Sequence, residues 1–294
     1  MSKKHIRTQP KPPWLKVRIP TDPNFFYTSQ LIKEKKLHTI CQSAACPNRA
    51  ECWSHRTATF LVMGEVCTRN CSFCAVQSGD PDSLIEDEAE RVAEAVGSMG
   101  LTYAVITSVT RDDLPDGGAG HLAKIVERVK ERNPGVKIEM LVPDFNGSLD
   151  ALRTVIGAGP DVLNHNIEVP RSLYPLINRP LNNYRRSLDL LAAAKWMGAL
   201  TKSGMMIGLG EKKRDILDTL EDLRRSGCDL LTIGQYLQPS AGHPSVSTYY
   251  PPSLFDDLKK RALKMGFADA ECGPLVRSSY NASKMYMNVQ ETAM

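Results

Sequence analysis

The sequence predicts an α/β fold, a partial (β/α)6 barrel, and three observations carry that expectation. From about residue 57 onward, short apolar runs alternate with segments of helical apolar spacing; helix-stopping residues fall just past those segments; and a cysteine triplet begins where the first run ends. In chain order the runs are TATFLVMGEVC, YAVITSVT, KIEMLVPD, VLNHNIEVP, TKSGMMIGLG and DLLTIGQYLQ, which makes six expected strands. Strands joined through helices by right-handed crossovers form a parallel sheet whose outer face the helices must cover. Six such units stop short of the eight that close a full barrel.

The helices follow from the spacing between the runs. Val92, Val96 and Met99 repeat at helical intervals after the first strand, and Leu122, Ile125, Val126 and Val129 do so after the second. Leu188 with Leu191, and Ile216 with Leu220 and Leu223, mark two more. Asn133-Pro134-Gly135, Gly198 and Gly227 supply the stops, since glycine takes up the left-handed conformation that ends a helix. The chain is therefore divided into an N-terminal extension, residues 1–56, a barrel, residues 57–240, and a C-terminal helix with the Arg277-Ser278-Ser279-Tyr280 stretch, residues 241–294. Met285, Tyr286 and Met287 in the tail have no assigned role.

Length and composition fit an enzyme with a large core, 294 residues of which 42% are hydrophobic. No apolar run approaches the ~18 residues that span a bilayer, so a membrane role is not expected. The start MSKKHIRTQPKPPW lacks the apolar stretch of a secretory leader, and its prolines would break an amphipathic transit helix. Unpaired cysteines at this density suit a reducing compartment, which gives a cytoplasmic expectation. Residues 1–36 hold nine Lys or Arg against Asp22 and Glu34, so the extension is the basic part of a chain whose net charge is +4. It reads equally well as a solvated arm or as a docking surface for an acidic partner. No recognisable nucleic-acid module accompanies it.

Six of the eight cysteines form two triplets: Cys41, Cys46 and Cys52 as C-x4-C-x5-C, and Cys67, Cys71 and Cys74 as C-x3-C-x2-C. A closed structural zinc site takes four ligands in close pairs, and neither triplet provides them. Three thiolates on a four-iron cluster leave one iron open for a substrate or cofactor, which implies chemistry. The second triplet starts at the carboxyl end of the first strand, the rim where barrel enzymes gather their reactive groups. Arg111 and Asp113, Gly117 and Gly118, and His165 and Glu168 follow other strands onto that rim. Each also has an ordinary reading as a cap, a turn or a hydrogen-bonded core group. Cys228, which starts an apolar run, reads as a buried structural thiol.

A C-x3-C-x2-C loop after the first strand of such a barrel resembles the radical S-adenosylmethionine enzymes. The first triplet, RDDLPDGGA, NHNIEVP and Arg277-Ser278-Ser279-Tyr280 resemble the lipoyl-forming branch of that family, over nearly the whole chain. The resemblance implies that Cys67, Cys71 and Cys74 hold a 4Fe-4S cluster whose open iron binds S-adenosylmethionine, which is cleaved to a hydrogen-abstracting 5'-deoxyadenosyl radical. It implies a second, auxiliary 4Fe-4S cluster on Cys41, Cys46 and Cys52, with Ser279 as fourth ligand. That cluster is consumed as the sulfur source for carbons 6 and 8 of an octanoyl chain on a lipoyl carrier protein. A low-potential electron donor and a cluster-delivery protein are the further partners implied. Spacing alone leaves Cys272 as the alternative fourth ligand, since thiolate is the commoner partner of iron. An acyl tunnel could draw on Met63, Met205, Met206, Ile207 and Leu209, which also read as barrel core. Two other functions fit the residues: a radical enzyme acting on another sulfur acceptor or on RNA, and a non-enzymatic zinc or iron-sulfur protein.

Overall fold

The computed structural model of the chain describes residues 10–17 and 20–293. Residues 1–9 and 18–19 of the expected basic arm lie outside the described residues. Its last part forms α1 (Pro23–Glu34), started by the Asp22 carboxylate, which accepts from the Asn24 amide at 2.8 Å. The short β1 (His38–Thr39), α2 (Ile40–Ser43) and α3 (Arg49–Ser54) carry the first cysteine triplet.

The repeating part begins with β2 (Thr59–Val62), and the second triplet lies on the loop holding β3 (Val66–Cys67) and β4 (Gln77–Ser78). Then come α4 (Glu88–Met99), β5 (Tyr103–Ser108), α5 (Ala119–Arg132), β6 (Lys137–Leu141), α6 (Leu149–Gly157) and β7 (Val162–Asn164). The chain continues through α7 (Leu181–Trp196), β8 (Thr201–Ile207), α8 (Lys213–Arg225) and β9 (Leu230–Gln235), and ends with α9 (Pro252–Lys264), β10 (Asp269–Gly273) and α10 (Ala282–Ala293). The expected stops are in place: Gly198 and Gly227 follow α7 and α8 at φ 89° and 78°, and Asn133 caps α5.

All six expected strands form and pair in parallel in chain order, β2, β5, β6, β7, β8 and β9. Two more extend the sheet to eight strands: β1 pairs antiparallel with β2 at one edge, and β10 pairs parallel with β9 at the other. The partial barrel is thus longer at both edges than the apolar runs predict. β10, with sequence DAECG, offers no apolar run because only Ala270 on it is fully buried.

Alternation along the strands sorts the core. Ala104, Ile106, Ile138 and Met140 pack with α4, α5 and α6, while Met205, Ile207, Leu231, Ile233 and Ala270 pack with α7, α8 and α9. On the inward face, Tyr103, Val105, Val162 and Leu230 meet Met285 and Tyr286 of α10, which explains those apolar tail residues; Met287 is exposed. The interior also holds charge. Lys202 and Glu139 are fully buried and meet at 2.9 Å, and the Glu139 carboxylate accepts from Tyr103 Oη at 3.0 Å and Asn164 Nδ2 at 2.7 Å. Removing one partner of such a pair costs ~3–5 kcal/mol, because it leaves a buried charge uncompensated.

Candidate functional site: two cysteine triplets

The second triplet is presented by the turn that ends β2. Met63 and Gly64 both take positive φ, 66° and 92°, and swing the chain out of the sheet into the cysteine loop. The Met63 amide donates to the Glu88 carboxylate, which His121 Nε2 also meets at 2.7 Å. A buried acid on α4 thus holds the strand end. Cys67 Sγ accepts from the amides of Arg69 at 3.4 Å and Thr110 at 3.3 Å. Arg69, inside the motif, clamps the loop: its guanidinium reaches both Asp112 oxygens at 2.7 and 2.9 Å, Asp144 at 2.6 Å and Asn146 at 3.0 Å. Burial opposes ionisation of Asp144, but Arg69 overrides it and holds that carboxyl at about 2.

Around Cys71 and Cys74 the partners come from later strands. Arg179 donates through Nε to Cys71 Sγ at 3.2 Å, lies over the Phe73 ring, and has its Nη2 3.8 Å from Glu168 Oε1. His243 reaches the Cys74 carbonyl at 3.0 Å. Burial pushes the Cys74 thiol up to about 11, with the charges of Cys71, Glu168 and Cys67 adding to it. Glu168 sits at φ 69°, a conformation that costs a non-glycine residue energy and marks functional sites. Its cause is a bulge: between the Leu163↔Thr201 and Glu168↔Met205 pairings, β7 and its continuation use one residue more than β8.

The other expected rim residues fall at the same end. Arg111 is buried, grips Asp113 at 2.7 Å and touches the Met63 carbonyl at 3.4 Å. Gly118 starts α5 at φ 86°, where a Cβ would stand 2.3 Å from Met63 Sδ; Gly117 precedes it at φ 63°. These two glycines therefore permit a close approach behind the cysteine loop. His165 is buried with both ring nitrogens engaged, Nδ1–H donating to the Val142 carbonyl and Nε2 accepting from Ser187 Oγ, each at 2.9 Å. Burial pushes it down to about 4, so it is a neutral imidazole.

The first triplet is assembled from both ends of the chain. Cys41 lies on α2, Cys46 in the following turn and Cys52 on α3. The C-terminal stretch packs against them: Asn48 Nδ2 donates to the Leu275 carbonyl at 2.6 Å, and Tyr280 Oη donates to Glu51 at 3.2 Å. Arg277 is close enough to Cys46 to feel its charge. Two inward glycines make room for that stretch. A Cβ on Gly234 would fall 2.1 Å from the Val276 carbonyl oxygen, and one on Gly204 would fall 2.9 Å from Ser278 Oγ. Cys272 has Lys259 on α9 and Glu271 as its charged neighbours, and burial pushes its thiol up to about 12. Cys228 is a buried thiol 3.3 Å from the Leu230 carbonyl. Of the five residues that an acyl tunnel could draw on, Met205, Ile207 and Leu209 pack into the core under α7, α8 and α9, the first two because their positions on β8 face the helices.

The donor sets fit iron-sulfur clusters. All eight cysteines are free. Burial, then the charges of Cys41, Cys46 and Glu51, push Cys52 up to about 12, and burial raises Cys41 as well. Three neighbouring thiolates, Cys41 buried and Cys46 and Cys52 half-buried, need a cationic group among them, and a cluster supplies one. Among the described residues no group of three His, Cys, Asp or Glu is placed to hold a metal ion, so the fit rests on ligand chemistry, three thiolates at each site. Sequence reasoning missed Arg69, Arg179 and Glu88, and gave no role to His243 or to Asn166 within the NHNIEVP stretch. Arg69 carried a signal of its own, a charge inside the cysteine motif.

Comparison with known proteins agrees with this geometry. Residues 61–223 match the Radical SAM superfamily model. The chain is 49% identical over 286 residues to the lipoyl synthase of Rubrobacter xylanophilus, covering 97% of this chain and 89% of that one. It is 46% identical to the lipoyl synthase of Thermus thermophilus, covering 96% and 88%. Among solved structures, the FeFe-hydrogenase maturase of Carboxydothermus hydrogenoformans matches with a TM-score of 0.55 at 14% identity, over 90% of this chain and 69% of that one. Methylornithine synthase matches with a TM-score of 0.53 at 15% identity, over 89% and 80%.

Proposed function

We infer that this chain, which belongs to the lipoyl synthase family of the radical S-adenosylmethionine superfamily, inserts two sulfur atoms at carbons 6 and 8 of an octanoyl-lysine on a lipoyl carrier protein. The observation that carries the reading is the pair of cysteine triplets on one barrel, one on the loop after β2 and the other faced by the Arg277–Tyr280 stretch. When bound, two 4Fe-4S clusters and S-adenosylmethionine supply the electron, the hydrogen-abstracting radical and the sulfur.

The residue roles are our reading of the site. Cys67, Cys71 and Cys74 hold the cluster that binds S-adenosylmethionine, and Cys41, Cys46, Cys52 and Ser279 hold the auxiliary cluster. Ser278 is already engaged with Asn166, and Cys272 lies beside Lys259 on α9, which supports Ser279 as the serine ligand. Glu168 and Arg179, beside Cys74 and Cys71, supply a carboxylate and a cation to orient the polar ends of S-adenosylmethionine or substrate. Arg111, Asp113, Gly117 and Gly118 keep the Met63 turn, and with it the cysteine loop, in place. Asp144 and Asp112 hold Arg69 across that loop, which keeps the rim closed to water.

Residues 1–56 and 241–294 thus serve the auxiliary cluster and residues 57–240 the radical chemistry. A low-potential electron donor and a cluster-delivery protein follow from a cluster that must be reduced and another that is consumed. Eight free thiols support a cytoplasmic setting; no helix among the described residues is long and apolar enough to cross a membrane. The test is an anaerobic incubation of reconstituted protein with S-adenosylmethionine, a reductant and an octanoyl-lysyl peptide. Mass spectrometry should find 5'-deoxyadenosine and a peptide with two added sulfurs. Deoxyadenosine without the sulfurated peptide would overturn the substrate assignment.

A further inference from the structure

Asn166 lies on the stretch after β7, with the C-terminal segment of one cysteine site on one side and Glu168, two residues on, beside the other. Its amide oxygen accepts from the Ser278 hydroxyl at 3.0 Å, and its side chain is near enough to Glu168 to favour that carboxyl's ionised form. Glu168 leads to Arg179 at 3.8 Å, and Arg179 donates to Cys71 Sγ at 3.2 Å. On the other side Ser278 is followed by Ser279 and preceded by Arg277, the neighbour of Cys46.

The surroundings leave this bond little freedom. A Cβ on Gly204 would lie 2.6 Å from Asn166 Oδ1, 2.9 Å from Ser278 Oγ and 2.9 Å from Thr232 Oγ1. The bond therefore occupies the space that an inward side chain at position 204 would fill. Asn166 itself lies inside the bulged stretch whose far end is the strained Glu168, and partners on both sides are what hold such a backbone. The Val276 carbonyl is pressed onto Gly234, so the C-terminal stretch is located at two adjacent points along the inner wall.

We propose that Asn166 is a positioning residue for the auxiliary site: its bond to Ser278 sets the register of Arg277–Tyr280, so that Ser279 faces Cys41, Cys46 and Cys52. The last step rests on the reading of Ser279 as a ligand given above. Partners one shell out from a metal ligand typically govern affinity by ~10–100-fold.

The test uses the full chain carrying Cys67→Ala, Cys71→Ala and Cys74→Ala, so that only the first triplet is loaded. Two quantities are read: the rate of iron loss to a chelator, and the Mössbauer signature of the iron with a non-thiolate ligand. Asn166→Ala should speed iron loss ~10-fold and broaden that signature. Ser278→Ala should match it, and the double variant should be no faster than either, because a single bond is removed. In the complementary chain, with alanine at positions 41, 46 and 52, Asn166→Ala should leave the iron-loss rate unchanged, which separates positioning from a loosened fold. Parental rate and spectrum in Asn166→Ala, or additive effects in the double variant, would overturn the proposal. If Ser279→Ala leaves the spectrum unchanged while Asn166→Ala still speeds iron loss, the serine-ligand reading falls and the hold of Asn166 on the segment stands.

Discussion

The two cysteine sites of this barrel are built in opposite ways. The second triplet occupies eight consecutive residues, Cys67 to Cys74, on one loop after one strand. That loop is bound to its neighbours through Arg69, Thr110 and Arg179. The first triplet needs a segment more than two hundred residues away, held by a few contacts such as Asn48 to Leu275 and Tyr280 to Glu51. A local site loses little entropy on forming, whereas one joining distant segments depends on the whole sheet being assembled between them. On that reasoning the local site should be the durable one and the composite site the labile one, which suits the proposed assignment of the sulfur-giving cluster to the first triplet.

The largest test of that division removes one ligand from each side. Cys71→Ala should abolish 5'-deoxyadenosine formation while iron remains at the first triplet, and Cys46→Ala should abolish sulfurated product while deoxyadenosine still forms. Product analysis beside iron and sulfide counts checks both. Full product from Cys46→Ala would break the assignment of the sulfur source.

A smaller effect should come from the glycines that admit each site's supporting chain. Gly234→Ala drives a methyl into the Val276 carbonyl, a backbone atom that cannot swing aside. It should cost ~1–3 kcal/mol and lower occupancy of the first triplet only. Gly118→Ala meets the flexible end of Met63 but also demands φ 86° of a non-glycine residue, so it should disturb the second triplet instead. Urea unfolding with iron counts on each triple-alanine background would show the crossover, and its absence would mean that the sites are not independent.

The same contrast explains what the sequence discloses. Six strands and four of the helices between them were legible because period and stop residues are local signals, whereas α6 was not singled out, and the second triplet was legible because its spacing is its geometry. The partners of each site were not. Arg179 precedes a proline on the loop between β7 and α7, and Asn166 lies in a bulge whose register only the β8 pairing defines. β10 escaped notice because it has one buried apolar residue, and the tunnel expectation failed for Met205 and Ile207 because alternation sends them to the helix side.

Ser279→Ala and Cys272→Ala sharpen the composite site further. Ser279 belongs to the stretch that packs on the first triplet, and Cys272 points into the core under α9. Ser279→Ala should reduce sulfurated product several-fold more than deoxyadenosine, and Cys272→Ala should change neither product ratio. A reversal would move the fourth ligand to the thiol.

The smallest expected effect concerns acid, and it falls on the side of the second triplet. His165 is held neutral, with a folded value of about 4 against the ordinary 6.5, chiefly by burial. As pH falls from 6.5 toward 4 the unfolded chain takes up a proton that the folded chain refuses, so stability falls with pH over that window. By pH 5 the loss is about 2 kcal/mol, from 1.4 kcal/mol per unit. Asp144, held at about 2 by Arg69 against burial, acts lower: its stabilisation is present above the ordinary carboxylate value and is lost as pH falls toward 2. Urea midpoints at pH 7, 6 and 5 should therefore decline in the parent and stay flatter in His165→Gln, which cannot titrate. Equal declines in both chains would mean that the imidazole is not the group that acid strains, and the rim of the second triplet would lose its claim to be the acid-sensitive side of the barrel.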